Sequence, residues 1–128
     1  MISQISLGVK VSVETFFQPE YSNPVDFVFR FAYRITIENN NEFPIRLLRR
    51  HWVIYDSFAQ LSEIDGEGVV GVQPVIAPGE TYQYISGCNL ESEIGKMHGS
   101  YQFENLLSRK LFDVSIPTFQ LIAPCKLN

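Results

Sequence analysis

Val9, Val11 and Val13 alternate with Lys10, Ser12 and Glu14, the period of two that a strand shows when one face is buried and the other meets water. This predicts a first strand. Beyond Pro19 and Pro24, the odd positions Phe27, Phe29, Phe31, Tyr33, Ile35 and Ile37 are apolar, with Arg30, Arg34, Thr36 and Glu38 between them. A helix would scatter those aromatics around its circumference, because helical neighbours lie three and four residues apart. A strand over 27–37 follows, ended by Asn39-Asn40-Asn41, residues that tolerate turn geometry.

Ile45 to Tyr55 reads as a third strand, with Trp52 as its core anchor. Its apolar parity switches between Leu47 and Leu48, which a bulge would produce. Leu61 to Asp65 fits a short strand, and Gly66 to Pro78 holds too many glycines and prolines for a regular element, so a long ordered loop is expected there. Pro78-Gly79 is a turn signal, and Thr81 to Ser86 alternates around Tyr82 and Tyr84. Met97 to Phe103 running into Leu111 to Ile116 suggests a hairpin. Pro117 lacks an amide hydrogen and belongs at a bulge or an edge, after which Phe119 and Leu121 form a final strand. About seven short strands without a helical period describe an all-β antiparallel sandwich or barrel. The tryptophan on the third strand favours an immunoglobulin-like sandwich, with a barrel as the alternative.

Composition narrows the function more than it names one. The chain has 128 residues, 45% hydrophobic, with 10 Phe and 6 Tyr, enough for one packed core over 1–128 and no case for disorder. A formal charge of -4 argues against nucleic-acid binding, which needs a basic face. The start has no charged leader followed by an apolar run, and no stretch approaches a membrane span, so a cytosolic, soluble protein is expected. In that reducing setting Cys88 and Cys125 are expected as free thiols.

Gly66-Glu67-Gly68-Val69-Val70-Gly71 matches GxGxxG, whose glycines let backbone amides approach a pyrophosphate. Such a motif should open a helix; here Gln73-Pro74 and Ala77-Pro78 follow at once. A structural loop and a phosphate site at Gly66, Gly68 and Gly71 are both carried forward. Glu63, Asp65 and Glu67 fall on one side of an extended strand, as weak candidates for a hard cation against the plainer reading of a solvated face. His51 and His98 lack the close spacing of a transition-metal site. Arg46, Arg49 and Arg50, beside His51 and Trp52, are candidates for an interaction surface, or simply a charged guard on a strand. No nucleophile elbow, HExxH or protease-type cysteine is present, so a non-enzyme without a cofactor is expected. Its partner is left open among a protein, a phosphate-containing small molecule and a second copy of the chain.

Several runs of residues together resemble the ApaG family. They are Phe31 to Ile37, Leu47 to Ile54, Glu67 to Pro74, Pro78-Gly79-Glu80, Tyr82 to Gly87, Met97 to Tyr101 and Ile116 to Phe119. The likeness extends from about Val9 to Pro124, leaving out Phe17 to Val28. The resemblance implies a fibronectin type III or immunoglobulin-like sandwich. It also implies an association with cobalt and magnesium efflux, which a chain without a membrane span could influence only indirectly. Related domains inside larger eukaryotic proteins imply a protein-interaction role, and the family's glycine motif falls on Gly66, Gly68 and Gly71. No established catalytic residue is carried over.

Overall fold

Leu7 and Gly8 hold positive φ angles of 48° and 78°, the geometry of a tight hairpin turn whose twist matches that of its strands. They fold Ile2–Ser6 (β1) back on Val9–Phe17 (β2). β1 escapes the sequence pattern because four of its five residues are exposed and none alternates toward a core. Two single 3-10 turns, Pro19–Tyr21 and Pro24–Asp26, then lead into Phe29–Asn39 (β3). Phe27 was expected within that strand. It instead stands exposed at φ 57° as the residue that ends the second turn. The computed structural model describes residues 1–57 and 61–124, and Cys125 lies outside them.

Ile45–Asp56 (β4), Ser62–Glu67 (β5), Val75–Ile76 (β6), Thr81–Leu90 (β7), Ile94–Asn105 (β8) and Leu111–Ile122 (β9) complete the order. Two sheets form: β1-β2-β3-β7, and β5-β4-β8-β9 with β6 also paired to β4. All pairings are antiparallel, and the two sheets pack face to face as an immunoglobulin or fibronectin type III-like sandwich. A closed barrel is thereby set aside. The stretch 66–78, expected as an ordered loop, holds regular structure at two places, since Gly66 and Glu67 belong to β5 and Val75 and Ile76 to β6. Residues 111–122 are one strand rather than two.

The two bulges explain the irregular parts of the pattern. Leu47 and Arg49 pair with the consecutive residues Phe103 and Gln102, so Leu48 is the extra residue and the parity switch is real. On β9, Pro117 and Thr118 stand where β8 offers only His98. The bulge and the outer position of β9 together remove any demand on the missing proline amide.

The interior is aromatic. Trp52 is 2% exposed and meets Tyr33, Phe119 and Tyr101 at ring-centroid distances of 5.5, 5.9 and 6.3 Å. Burying a side chain of this size contributes roughly 1.5–3 kcal/mol or more from area alone. Asn39, fully buried, satisfies itself by donating to the Phe43 and Ile76 carbonyls at 2.9 Å and accepting from the Asn41 amide at 3.0 Å. That network ties the predicted Asn turn to β6. Among the described residues no helix is long and apolar enough to cross a membrane.

Candidate functional site: the cleft between β5 and β7

The sandwich has two seams where edge strands of opposite sheets face one another. Along one, β1 and β2 pack on β9. Along the other, β5 and β7 leave a cleft with Tyr33 and Trp52 in its wall. Its upper part, about 290 Å³, is lined by Arg50, Ile64, Val69, Val70, Gly71, Tyr84 and Ser86. A second part, about 440 Å³, continues past the same Tyr33, Trp52, Ile64 and Gly87 toward Asp56, Cys88 and Met97. A larger hollow of about 650 Å³ lies on the other seam. Its charged side chains are already engaged, because Glu14 pairs with Arg34 at 3.4 Å and Lys96 stacks over the Tyr55 ring.

The bulge at Leu48 distributes the arginines. Arg46 lies between buried Ile45 and Leu47, and Arg49 is exposed opposite Glu67, whereas Arg50, two residues before Trp52, turns toward the cleft. The three arginines therefore do not share one face. Arg50 Nη1 donates to the carbonyls of Glu67 and Gly68, both at 3.0 Å. The guanidinium thus clamps the glycine segment against β4.

That segment opens no helix. Val69 and Val72 exchange backbone hydrogen bonds of 2.8 and 3.0 Å, with Val70 and Gly71 at φ 47° and 81° between them. A β-branched residue with positive φ is strained, at a cost of order 1–3 kcal/mol. Val70 is also 63% exposed. Gly68 has a structural duty: at φ 60° an added Cβ would run into the Val72 carbonyl oxygen. Gly71 meets open space. Gly66 passes beneath the Arg50 guanidinium, which a side chain there would displace.

Glu63, Asp65 and Glu67 line the outer side of β5, opposite Val53, His51 and Arg49. His51 Nδ1 lies 2.8 Å from Asp65 Oδ1 and Nε2 lies 3.9 Å from Glu63 Oε2. His98 is on β8 opposite Val53. Among the described residues no three of His, Cys, Asp and Glu are arranged to hold a metal ion.

Sequence reasoning missed the tyrosines. Tyr84 and Tyr101 hydrogen-bond through their hydroxyls in the interior, and burial pushes both hydroxyls upward. Burial also raises Tyr33, while the neighbouring Ser86 side chain works the other way. At the far end, burial pushes the Cys88 thiol up to about 11, so it is an unreactive neutral group at ordinary pH. Asp56 caps the β7–β8 connection, accepting from the Glu91 amide and Ser92 Oγ at 2.6 Å. The signal that could have found the cleft is the composition of β7, which carries no charge and no proline over ten residues.

The comparisons agree with this architecture. The family model described as the ApaG domain matches residues 19–105, a span that includes the loop the sequence motifs left out. Protein ApaG from Pseudomonas aeruginosa is 47% identical over 121 residues, covering 94% of each chain. Protein ApaG from Rhizobium leguminosarum bv. trifolii is 43% identical over 124 residues, covering 97% of this chain and 95% of the relative. A crystal structure of a Bordetella pertussis protein given the name ApaA superposes with a TM-score of 0.86 at 40% identity, over 91% of this chain and 94% of that one. The C-terminal domain of wzt shares the fold alone, with a TM-score of 0.56 at 7% identity, over 94% of this chain and 76% of that one. The chain belongs to the ApaG family.

Proposed function

We propose that this chain is a non-catalytic interaction module of the cytosol that binds an extended segment of a protein partner along the free edge of β7. The observation that carries the proposal is the edge itself. Among the described residues β7 pairs with β3 alone, it spans Thr81–Leu90, and nothing in its sequence guards it. Edge strands are usually blunted by charge, proline or brevity, since their unpaired amides and carbonyls template another strand. β5, across the cleft, is guarded by three carboxylates. A segment added to β7 would gain main-chain hydrogen bonds from the edge and side-chain burial against Ile64, Trp52 and Tyr33. Any effect on cobalt or magnesium balance would then pass through the partner.

Ile85 is 60% exposed on β7, so Ile85→Lys should guard the edge while changing stability by less than about 0.5 kcal/mol. A partner recovered from native extract, identified and purified, should bind the variant at least about tenfold more weakly by calorimetry. Equal affinity would overturn the reading. So would sedimentation showing that β7 pairs two copies of this chain.

A second reading has its own observation in favour. Arg50 and the Val70 and Gly71 amides, which make no hydrogen bond to the described residues, border one cleft. Pyrophosphate or a nucleotide, with or without Mg²⁺, could use these donors at the Gly66–Gly71 segment. The carboxylates of Glu63, Asp65 and Glu67 on the adjoining strand oppose so highly charged a ligand.

A further inference from the structure

Arg50 is the least explained charge in the cleft. Arg34, Lys10 and Arg109 each have a carboxylate partner, and Arg49 faces Glu67 across the strand pair. No described carboxylate pairs with Arg50. Its Nη1 is spent on two carbonyls, while Nη2 and Nε make no hydrogen bond to the described residues. The side chain is only partly exposed and lies among buried phenols, whose ionisation its charge eases at Tyr33, Tyr84 and Tyr101. A partly exposed guanidinium with no described carboxylate against it leaves two donors open to an arriving anion.

The surroundings select among anions. Among the described residues Arg50 is the one cation lining this part of the cleft, and the acidic strand β5 beside it disfavours a second negative charge. Two adjacent guanidinium donors match the two oxygens of a carboxylate. Next to them the walls turn apolar, at Trp52, Ile64 and Val69. The cleft then runs on past Gly87 along β7.

We propose that the Arg50 end of the cleft captures the C-terminal carboxylate of the partner segment. The last side chain is apolar and seats on Trp52 and Ile64, and the preceding residues lie along β7. The assignment rests on the edge-docking reading above and adds its polarity, its terminus and its last residue type. Ser86 and the Val70 and Gly71 amides border the same space and would complete the donor set around the carboxylate.

The test changes the probe and leaves the protein intact. Short random peptides ending in leucine, synthesised as the free acid and as the C-terminal amide, are titrated against the full chain. Trp52, the sole tryptophan, reports by fluorescence, and amide NMR shifts report on Val70, Gly71, Ser86 and β7. The acid should bind at least about tenfold more tightly than the amide, the scale of one lost charge-assisted contact. Arg50→Gln should erase that difference, and Arg50→Lys should restore part of it. Acid and amide binding equally at β7 would overturn the carboxylate assignment while leaving edge docking in place. Binding of neither peptide would overturn both. Inorganic pyrophosphate displacing the acid, with shifts confined to 66–71, would replace both with the anion-loop reading.

Discussion

β5 and β7 border the same cleft, yet they are built on opposite plans. β5 is six residues long, presents Glu63, Asp65 and Glu67 outward, holds His51 through Asp65, and stands opposite Arg49 of its neighbour strand. β7 is ten residues long, uncharged, and alternates buried Tyr84, Cys88 and Leu90 with exposed Gln83, Ile85 and Asn89. Among the described residues neither has a partner strand on its outer side. The difference teaches that one edge is defended against pairing and the other is left available. Unpaired backbone groups in water are tolerable, and only composition decides whether another strand can approach them.

The sharpest way to break the comparison is to collapse the wall that separates the strands. Gly68→Val places a β-branched residue at φ 60° against the Val72 carbonyl, so urea unfolding should show a loss of about 3 kcal/mol or more. Gly71→Ala, in open space, should cost only about 1 kcal/mol for its left-handed backbone. Equal costs would mean that the Val69–Val72 turn is not held as described.

A smaller effect concerns the β7 side alone. The buried Cys88 thiol has its pKa raised from 9.0 to about 11, first by burial and then by Asp56. A group raised on folding contributes stability that is complete below its unfolded pKa and is withdrawn as pH rises through the folded value. Thermal melts of wild type should therefore lose stability between about pH 9 and 11 relative to Cys88→Ala. Parallel pH curves would contradict the burial. The smallest effect belongs to β5. His51→Ala removes ion pairs whose partners are about 60% exposed, and such pairs are worth about 0.5 kcal/mol or less in the melt. A larger loss would make the β5 charges structural rather than protective.

Much of this was legible from the residues. Alternation on β2, β3 and β7 marked their buried faces, and the Leu47-Leu48 parity break and Pro117 each marked a bulge that the pairing shows. Alternation reports burial, so it was silent on β1, whose side chains meet water. It misled at Phe27, where apolar parity continued past the strand end. The cleft was less legible still. Arg50 reads like Arg46 and Arg49 in sequence, and only the extra residue at Leu48 turns it inward. The role of Gly68 depends on Val72 folding back on it, a contact that GxGxxG as a pattern does not contain.

The central claim is that β7 is the available edge. Amide hydrogen exchange measured on the full chain with a saturating acid-terminated peptide tests it directly. Slowed exchange concentrated in Thr81–Leu90, with Ser62–Glu67 unchanged, is the predicted result. Protection confined to β5, or to the hollow between Glu14 and Lys96, would contradict it.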